Sequence, residues 1–509
     1  MIAVVNYGSQ FTHLIARRLR GLNVRSEIVP SDVTAAKLKA MHPSGIVLSG
    51  GPTSVNSPDA PVSDPAILEL GVPVLGICFG HQLMAKLLGC PVTTGQSGEY
   101  GKEVIHGSDS PLFTGLPREH VVWYSHGDEV KKLPEGFRVI GKTEHGPLAA
   151  MEHPAKKLYG LQFHPEVSHT EYGLSILQNF AIDICQDPAD WTIQQARQTI
   201  SSRLREEVVE GDVLVGVSGG VDSMVAATLL DDVVPERLHA VFVDTGLLRK
   251  DEAAEVKAVF RQHKFRDFRA VDASATFLER LRGVSDPEEK RRVIGHTFIE
   301  VFEAEAATIS KEVPVAYLAQ GTIYPDRIES AQPGGGSAKI KSHHNVTLPD
   351  KLGLKIVEPL KELYKDEVRE LGLELRLPKH LIDRHPFPGP GLAIRVLGEV
   401  NPERVATLQA ADAIYLQELR SAGLYDQIWQ AFAALLPVQT VGVMGDARTY
   451  ESMASLRAVT SVDGMTADWF KLPAEVLERI SSRIVNEVDG INRVVYDVTQ
   501  KPPGTIEYE

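Results

Sequence analysis

The stretch GDVLVGVSGGVDS, residues 211–223, carries the pattern from which we predict the fold. Its apolar run VLVGV predicts a buried strand, and the glycines at 219 and 220 predict a turn directly after it. The segment that follows, 222–230, predicts a helix. The same order of strand, glycine turn and helix recurs at VPVLGICFG, residues 72–80. This alternation is typical of α/β proteins, in which helices cover both faces of a parallel sheet.

The length and the breaks in the pattern predict three domains. The chain has 509 residues, and domains commonly take about 100–200 residues each. The segment QDPADW (186–191) interrupts the first alternating region, and RHPFPGPG (384–391), with three prolines and two glycines, ends the second. We therefore predict two doubly wound parallel α/β sheets and then a smaller α+β domain, over residues 1–188, 189–383 and 384–509.

The composition excludes several classes of protein. Asp plus Glu outnumber Lys plus Arg by 67 to 53, which gives a formal net charge of −14. This excess disfavours binding to nucleic acid or to an anionic membrane surface, because both need a basic footprint. No apolar stretch reaches about 18 residues, so no membrane span is expected. Only three cysteines occur, without CxxC spacing, which argues against a disulfide scaffold or a structural zinc site and favours a cytoplasmic location.

The first candidate for chemistry is Cys78, in VLGICFGHQ (74–82). It stands between a predicted strand and a predicted helix, with Gly76 and Gly80 two residues to either side. A nucleophile on such a sharp turn needs small neighbours, because the backbone is crowded there. The helix N-terminus stabilises a thiolate and directs N–H groups at a developing oxyanion. A buried structural cysteine is the alternative interpretation.

The segment FHPEV (163–167) supplies the partners that a thiol nucleophile requires. His164 and Glu166 are two residues apart and would point to the same face of a strand. An imidazole beside a carboxylate is the combination of base and orienting group that activates a nucleophile. His-Pro pairs also occur in loops without chemistry, but the two motifs together are more specific than either alone.

Residues 1–185 resemble the class I glutamine amidotransferases, on the motifs quoted around Cys78 and His164. The resemblance implies that Cys78 attacks the carboxamide carbon of glutamine, that His164 is the general base and acid, and that Glu166 orients His164. It also implies that the backbones of Gly51 (in SGGP, 49–52) and Phe79 donate hydrogen bonds to the oxyanion. The residues that it implies around the glutamine substrate are Gln82, Ser125, His126 and Gly127. His126 is the alternative base, for which we favour a substrate-positioning role.

A second candidate site is the loop SGGVDS (218–223), which follows the strand VLVGV. Consecutive N–H groups at Gly219 and Gly220 can converge on an anion, and the dipole of the following helix adds to this attraction. Ser218 and Ser223 supply hydroxyl donors. No GxxxxGK[ST] string occurs, so the loop is not of the Walker type. SGG alone mostly marks turns, whereas SGGxDS between a strand and a helix is a specific pattern.

This loop resembles the pyrophosphate loop of the N-type ATP pyrophosphatases, which cleave ATP between the α and β phosphates and adenylate a substrate oxygen. The resemblance implies that ATP binds together with Mg²⁺, which Asp222 would help to hold. The residues that it implies for ATP are Ser218, Gly219, Gly220, Val221, Asp222, Ser223, Met224 and Asp244. Asp244 lies in FVDTGLLR (242–249). Its alternative role is that of an ordinary helix cap without contact to ATP.

Two polar segments, IYPDRIES (323–330) and IKSHHNV (340–346), flank a glycine-rich stretch. A solvated loop is the ordinary interpretation of such a composition. Beside a pyrophosphate loop we favour a lid that closes over the triphosphate, in which Lys341 neutralises charge as pyrophosphate leaves. The predicted lid residues are Asp326, Glu329, Lys341, His343 and His344.

Two later segments, RHPFPGPGLAIR (384–395) and KPPGTIEYE (501–509), match the C-terminal domain of GMP synthetases. The whole chain thereby resembles the glutamine-hydrolysing GMP synthetase family. The resemblance implies that Arg395 and Lys501 bind the phosphate of XMP, that Glu507 is available to the nucleoside, and that the C-terminal domain forms a homodimer. The implied reaction is adenylation of the C2 oxygen of XMP by ATP–Mg²⁺, followed by displacement of AMP by ammonia from glutamine.

Two other functions are compared with this one. The first is an amidotransferase-coupled ATP pyrophosphatase with another acceptor, such as an NAD synthetase, against which the KPPGTIEYE segment argues. The second is a binding protein that has kept the folds and lost the chemistry. The intact Cys78, His164, Glu166 and SGGVDS loop argue against that function.

Overall fold

The computed structural model describes residues 1–9, 11–144, 146–263, 265–330, 353–444, 447–461, 464 and 466–509. Contacts within the chain divide it into two compact units, Met1–Ala196 and Arg197–Glu509. The predicted α/β class is confirmed, because both units are built on sheets with parallel strands. Among the described residues, no helix has the length and apolar character needed to cross a membrane.

Among its described residues, the first unit contains nine strands and four α-helices. The strands are β1 (Ile2–Asn6), β2 (Ser26–Pro30), β3 (Gly45–Leu48), β4 (Val74–Ile77), β5 (Val92–Gly107), β6 (Glu119–Val130), β7 (Arg138–Lys142), β8 (Ala150–His153) and β9 (Leu158–Leu161). The helices are α1 (Thr12–Arg20), α2 (Ala35–Ala40), α3 (Phe79–Leu87) and α4 (Gly173–Gln178). A π-helical stretch, Asn179–Ile184, continues α4, and 3₁₀ turns occupy Pro65–Glu69 and Pro111–Phe113.

These strands form one sheet in the order β2-β1-β3-β4-β9-β8-β7-β5-β6. The strands from β2 to β9 in this order are parallel, whereas β8, β7, β5 and β6 join the sheet in antiparallel pairs. The doubly wound parallel arrangement that the sequence predicts therefore extends over five of the nine strands. The connections between the later strands are short, and antiparallel strands accept a short turn where parallel strands need a long crossover.

In the described part of the second unit there are nine further strands and ten helices. Its strands are β10 (Asp212–Val217), β11 (Leu238–Asp244), β12 (Asp267–Asp272), β13 (Val315–Ala319), β14 (Lys355–Val357), β15 (Gln430–Met444), β16 (Ala447–Thr460), β17 (Asp468–Trp469) and β18 (Ile491–Tyr496). Its helices are α5 (Ile193–Glu207, which starts in the last residues of the first unit), α6 (Val221–Val233), α7 (Glu252–Gln262), α8 (Ser274–Arg280), α9 (Pro287–Glu312), α10 (Tyr324–Ser330), α11 (Lys365–Glu374), α12 (Lys379–Ile382), α13 (Pro402–Ser421) and α14 (Ala474–Glu487). Short 3₁₀ turns lie at Pro235–Arg237, Gly391–Ile394 and Tyr425–Gln427.

Two sheets organise the second unit. The first has the order β12-β11-β10-β13-β14, and every neighbouring pair in it is parallel. The second is the long antiparallel hairpin β15–β16, to which β17 adds antiparallel and β18 parallel, both beside β16. Helix α13 begins where the Asn401 side chain accepts a hydrogen bond from the Arg404 N–H at 2.9 Å, which is an N-cap.

One apolar core joins these two sheets. Val241 of β11 and Phe302 of α9 belong to the same buried cluster as Leu408 of α13 and Leu456 of β16. The predicted boundary between residues 383 and 384 therefore lies inside a continuously packed unit. The division into two separate domains at that point stays a prediction.

Gly391 fixes the PGPG turn onto the loop that follows β11. Its φ is +64°, and a Cβ atom there would lie 2.4 Å from the Leu247 carbonyl oxygen, which accepts a hydrogen bond from the Leu392 N–H at 2.7 Å. A side chain is therefore opposed by both the left-handed backbone and the close contact.

We predict that Gly391→Ala lowers the free energy of unfolding by about 2 kcal/mol or more, because both penalties apply. Urea unfolding followed by circular dichroism measures the effect. Gly389→Ala is the matched control, since a Cβ atom there would meet no heavy atom within 4 Å. Equal unfolding midpoints for the two variants would contradict this account.

Candidate active sites

Cys78 occupies a sharp turn between β4 and α3. Its backbone, with φ 52° and ψ −104°, lies in a conformation that residues with a side chain rarely adopt. The flanking glycines allow the turn, because a Cβ atom at Gly76 would lie 2.6 Å from the Gly80 carbonyl oxygen and one at Gly80 would lie 2.2 Å from that of Leu48. Strain of this kind is typical of a nucleophile held in place by its surroundings.

The structure brings Cys78, His164 and Glu166 together in the first unit. The His164 Nδ1 atom lies 2.7 Å from the Glu166 Oε1 atom, and the side chains of His164 and Cys78 are hydrogen-bonded. Since Nδ1 faces the carboxylate, Nε2 is the nitrogen left for the thiol. The Glu166 side chain is fully buried, and His164 is almost so. This is the relation of nucleophile, base and orienting group that acyl transfer requires.

The pKa of His164 is set by opposing effects. Burial lowers it, but the negative charge of Glu166 and the hydrogen bonds with Cys78 and Glu166 raise it, and the pKa stays well above its ordinary value. A histidine with such proton affinity is suited to accept the proton of a thiol.

His164 and Glu166 lie in a turn after β9 rather than on a strand, which corrects the local structure expected from their spacing. Pro165 between them disfavours continued strand pairing because it has no N–H. Backbone bonds hold the turn instead: the His164 N–H donates to the Trp123 carbonyl at 3.0 Å, and the Thr170 hydroxyl donates to the His164 carbonyl at 2.6 Å. Neither Trp123 nor Thr170 belongs to a motif that sequence reasoning recognises.

The residues predicted to surround glutamine lie close to Cys78. Ser125, His126 and Gly127 are on β6, and the Cys78 Sγ atom lies 3.6 Å from the Ser125 carbonyl oxygen. Gly51 approaches Phe79 so closely that a Cβ atom would lie 2.9 Å from the Phe79 ring. Gln82 is buried and donates to the Asp128 carbonyl at 2.7 Å, so its amide links α3 to β6.

Geometry separates the two candidate bases. Asp128 follows His126 by two residues, as Glu166 follows His164, so spacing alone does not distinguish them. The His126 Nδ1–H donates to the Asp128 backbone carbonyl at 2.9 Å, whereas the Asp128 carboxylate accepts a hydrogen bond from Ser54. Burial, the largest effect, lowers the pKa of His126. The bond between the His164 ring and the Glu166 carboxylate therefore favours His164 as the candidate base.

The loop of residues 218–223 lies between β10 and α6 in the second unit. Gly219 has a φ of +82°, and Gly220 is the N-cap residue of α6. The Ser223 hydroxyl oxygen accepts a hydrogen bond from the Ser218 N–H at 3.1 Å and donates to the Gly220 carbonyl at 3.0 Å. These bonds close the loop around the helix N-terminus, where backbone N–H groups attract anions.

Asp222, in the first turn of α6, is paired with Lys365. The Lys365 Nζ atom lies 2.6 Å and 2.7 Å from the two carboxylate oxygens of Asp222. No sequence motif indicates Lys365, because it lies 143 residues further along the chain. The carboxylate thus already attracts a cation, which fits the predicted role in holding Mg²⁺, an ion that proteins commonly bind through one or two carboxylates together with substrate phosphates.

A cavity of about 560 Å³ opens at this loop. The RHPFPGPG segment forms another part of its wall. Of the residues that the structure describes, four cationic and two acidic side chains line it: Arg291, Lys365, Arg369, Arg384, Asp222 and Glu252. The local balance of two positive charges is opposite in sign to the net charge of the chain, and it favours an anionic ligand.

Other residues predicted for ATP lie elsewhere. The Met224 side chain is fully buried in the core. Asp244 accepts a hydrogen bond from the Gly246 N–H at 3.2 Å, lies 3.2 Å from the Lys257 Nζ atom, and lines a neighbouring cavity of about 370 Å³. Among the predicted lid residues, Asp326 and Glu329 fall within α10, whereas Lys341, His343 and His344 lie outside the described residues.

Of the residues predicted for XMP, the structure brings two together. Arg395 is fully buried and contacts both carboxylate oxygens of Glu507, at 2.7 Å and 3.1 Å. The guanidinium lies over the Phe432 ring, 4.2 Å from its centroid. Lys501 has a different partner, since its Nζ atom donates to the Gly464 carbonyl at 2.8 Å. In this conformation Arg395 is therefore occupied by Glu507.

Comparisons with known proteins identify the family of this chain. The family model of class I glutamine amidotransferases matches residues 3–184, that of NAD synthase matches 192–286, and that of the GMP synthase C-terminal domain matches 417–508. The chain is thus an amidotransferase joined to a nucleotide-using synthase. Proteins named GMP synthase [glutamine-hydrolyzing] are similar to this chain over its full length. The protein from Phenylobacterium zucineum is 55% identical, that from Brachyspira hyodysenteriae 51% and that from Nitratiruptor 52%. Each match covers 100% of this chain and 98–99% of the relative. The chain belongs to the glutamine-hydrolysing GMP synthase family. The NAD synthetase alternative is not favoured, because that model covers one segment only.

We predict that Glu166→Gln lowers the pKa of His164, because burial then acts without the opposing charge. In the parent protein the pKa of His164 in the folded state lies above its ordinary value of 6.5. Protonated His164 therefore contributes its full stabilisation of the folded state below pH 6.5, and this stabilisation is lost as the pH rises through the folded-state pKa. The variant loses this contribution. NMR titration of labelled histidine measures the pKa directly.

The control is Glu119→Gln, which removes a carboxylate 3.2 Å from the exposed His106. It leaves the titration of His164 unchanged. An elevated His164 pKa that persists in Glu166→Gln would show that the carboxylate does not set it.

Proposed function

We propose that this chain makes GMP from XMP, with glutamine as nitrogen donor and ATP as activating substrate. The observation that carries the proposal is the presence of two complementary sites in one chain: a buried Cys–His–Glu arrangement and a cationic cavity at a pyrophosphate-type loop. Full-length identity of 50–55% to proteins named GMP synthase [glutamine-hydrolyzing] supports the same function.

In the first half-reaction, the Cys78 sulfur attacks the carboxamide carbon of glutamine, and His164 accepts the thiol proton. Backbone N–H groups of Gly51 and Phe79 stabilise the oxyanion. His164 returns the proton to the leaving nitrogen, so ammonia departs and a thioester remains. Water, deprotonated by His164, then hydrolyses the thioester to glutamate.

In the second half-reaction, the C2 oxygen of XMP attacks the α-phosphorus of ATP, and pyrophosphate leaves. Ammonia attacks C2 of the adenylated nucleotide, AMP leaves, and GMP is formed. Adenylation converts a poor leaving group into a good one. The 218–223 loop binds the departing phosphates through its N–H groups, and the cations of the cavity wall offset their charge.

Mg²⁺ would be held by Asp222 and would supply charge neutralisation on the phosphates. The Asp222 carboxylate supports this role because it lies at the loop and already binds a cation, the ammonium of Lys365. The predicted lid, Asp326, Glu329, Lys341, His343 and His344, would close over the triphosphate. Arg395, Lys501 and Glu507 would bind XMP, which requires Arg395 and Glu507 to exchange their present contact.

The finer biological setting is also proposed. All three cysteines are free thiols, which suits a reducing cytoplasm. A homodimer through the C-terminal domain is supported by exposed apolar side chains on one end of the β15–β16 hairpin, namely Val441, Val443 and Tyr450. Val441 and Tyr450 are cross-strand partners, so the three side chains lie close together.

We predict that Val443→Glu converts the dimer to a monomer, because a carboxylate would be buried without a partner. Sedimentation velocity distinguishes the two states. Val62→Glu, at an exposed position of the first unit, is the control and leaves the dimer intact. A parent protein that sediments as a monomer would refute the proposed assembly.

We predict that Cys78→Ala abolishes GMP formation from glutamine and leaves GMP formation from ammonium salts, because only the first half-reaction uses the thiol. Asp222→Ala stops both, since XMP is then not adenylated. Chromatography of nucleotides from assays with ATP, Mg²⁺ and XMP measures AMP and GMP.

Cys90→Ala is the control, because this free thiol packs against the apolar core of the first unit, and it retains both activities. Release of ADP and orthophosphate in place of AMP and pyrophosphate would overturn the proposed chemistry. Loss of both activities in Cys78→Ala would overturn the division between the two sites.

A further inference from the structure

The outer edge of β6 is covered by the segment 164–171, which contains the candidate base His164. β6 is the last strand in the order of its sheet, so no strand of the described chain lies beside this edge. The carbonyls of Val121 and Trp123 accept hydrogen bonds from the backbone N–H groups of Glu171 at 3.1 Å and His164 at 3.0 Å. The segment therefore binds β6 much as a neighbouring antiparallel strand would.

The N–H groups of the same two β6 residues are bound differently, because they donate to side chains. The Val121 N–H donates to the Glu171 carboxylate at 3.0 Å, and the Trp123 N–H donates to the Thr170 hydroxyl at 3.1 Å. In a regular strand pair both groups would donate to backbone carbonyls. Side-chain oxygens thus replace the carbonyls of a strand at these two positions.

The Thr170 hydroxyl also contacts the turn that holds His164. It donates to the His164 carbonyl at 2.6 Å while it accepts from the Trp123 N–H. Together with the direct bond from the His164 N–H to the Trp123 carbonyl, these contacts form a closed ring of three hydrogen bonds between strand and turn. Thr170 is only 5% exposed. Leaving the buried groups of this ring without partners would be costly, so the hydroxyl is strongly specified.

The position of Thr170 is fixed by the chain around it. Its N–H donates to the Val167 carbonyl at 3.2 Å, and its carbonyl accepts from the Gly173 N–H at 3.3 Å. Gly173 begins α4, and a Cβ atom there would lie 1.9 Å from the Pro165 carbonyl oxygen. The start of α4 therefore packs directly against the turn that holds His164. A compact loop presents the hydroxyl, which limits its freedom to turn away.

β6 is held in place independently of Thr170. It pairs with β5 on both sides of Trp123. Ser125 lies on this paired stretch, and its carbonyl oxygen lies 3.6 Å from the Cys78 Sγ atom. The His164 backbone is attached to the same strand through the ring of hydrogen bonds. Loss of the ring would therefore displace the imidazole but leave β6 beside the thiol.

We propose that Thr170 is a positioning residue for the attack on glutamine: its hydroxyl holds the His164 backbone at a fixed distance from β6 and thereby keeps the imidazole within reach of the Cys78 thiol. The ring of His164 is fixed separately, by the Glu166 carboxylate at 2.7 Å. The base is thus held at two points, its backbone by Thr170 and its ring by Glu166. This inference rests on the proposed function, since it takes His164 as the base and glutamine as the substrate.

The test is Thr170→Val in the full-length chain, because valine has nearly the shape of threonine but no hydroxyl. Alkylation of Cys78 by iodoacetamide, followed by mass spectrometry of the peptide that contains it, needs neither nucleotide nor turnover. A thiol reacts as the thiolate, and His164 accepts the thiol proton. We expect the alkylation rate to fall about tenfold, as for the loss of one hydrogen bond.

Release of glutamate measures the same effect during turnover, with ATP, Mg²⁺ and XMP present. We expect kcat to fall about tenfold, because a displaced base accepts the proton less readily. KM for glutamine stays near that of the parent protein, because β6 keeps its place beside β5. A contribution of Thr170 to stability alone would lower the unfolding temperature and leave kcat of the folded protein unchanged.

Two further variants complete the comparison. Thr170→Ser keeps the hydroxyl and loses the methyl group, so the alkylation rate and kcat stay near those of the parent protein. Glu171→Met removes the neighbouring side-chain acceptor on the same edge of β6, where the bond is exposed and water can take its place. This variant leaves both measurements unchanged.

The inference is overturned if Thr170→Val is alkylated at the parental rate, if Thr170→Ser is impaired as strongly as Thr170→Val, or if KM rises while kcat is unchanged. An equal loss in Glu171→Met would also overturn it. Failure of the proposed function is recognised separately. In that case the parent protein would form no GMP from XMP, or His164→Gln would leave the alkylation rate of Cys78 unchanged.

Discussion

Parallel pairing of neighbouring strands is the constraint on which both candidate sites depend. β4 pairs with β9 up to Ile77 and Leu161, and the next N–H, that of Cys78, still donates to the Leu161 carbonyl at 2.7 Å. The ladder thus fixes the nucleophile at the same sheet edge as the turn that contains His164. The pairing of β10 with β11 likewise sets the 218–223 loop beside the loop after β11. Ligand sites of open parallel sheets form at this edge.

Charged side chains that are buried elsewhere in the fold, such as Lys290 and Arg457, also have hydrogen-bonding partners. Lys290, fully buried in α9, donates to the Val396 carbonyl at 2.9 Å and contacts Glu509. Arg457 is also buried, and its guanidinium donates to three backbone carbonyl oxygens, those of Thr499, Thr505 and Ile506. Breaking a buried pair costs about 3–5 kcal/mol, because one charge is left without compensation. Residues 499–509 are therefore held against the interior by two buried cations.

Sequence reasoning succeeded where chemistry and backbone geometry coincide in a short segment. The glycines at 76 and 80 predict a crowded turn, and the contacts of Gly80 with Leu48 explain the crowding. It failed where position depends on distant parts of the chain. Lys365 reaches Asp222 from another helix, and Thr170 orients His164 from outside any motif. Spacing also cannot separate His126 from His164, because each is followed two residues later by a carboxylate, and the bond between Asp128 and the distant Ser54 is seen only in the structure.

The residues that contradict local rules are the ones that identify the sites. Cys78 has a positive φ although it has a side chain, Lys365 places a cation at the wrong end of its helix, and Glu166 is a fully buried carboxylate. Each arrangement is unfavourable in isolation and persists because the surrounding fold holds it in place. In each case the group that suffers the local penalty contacts a side chain with complementary chemistry: the Cys78 thiol contacts an imidazole, the Lys365 ammonium contacts the Asp222 carboxylate, and the Glu166 carboxylate contacts a histidine.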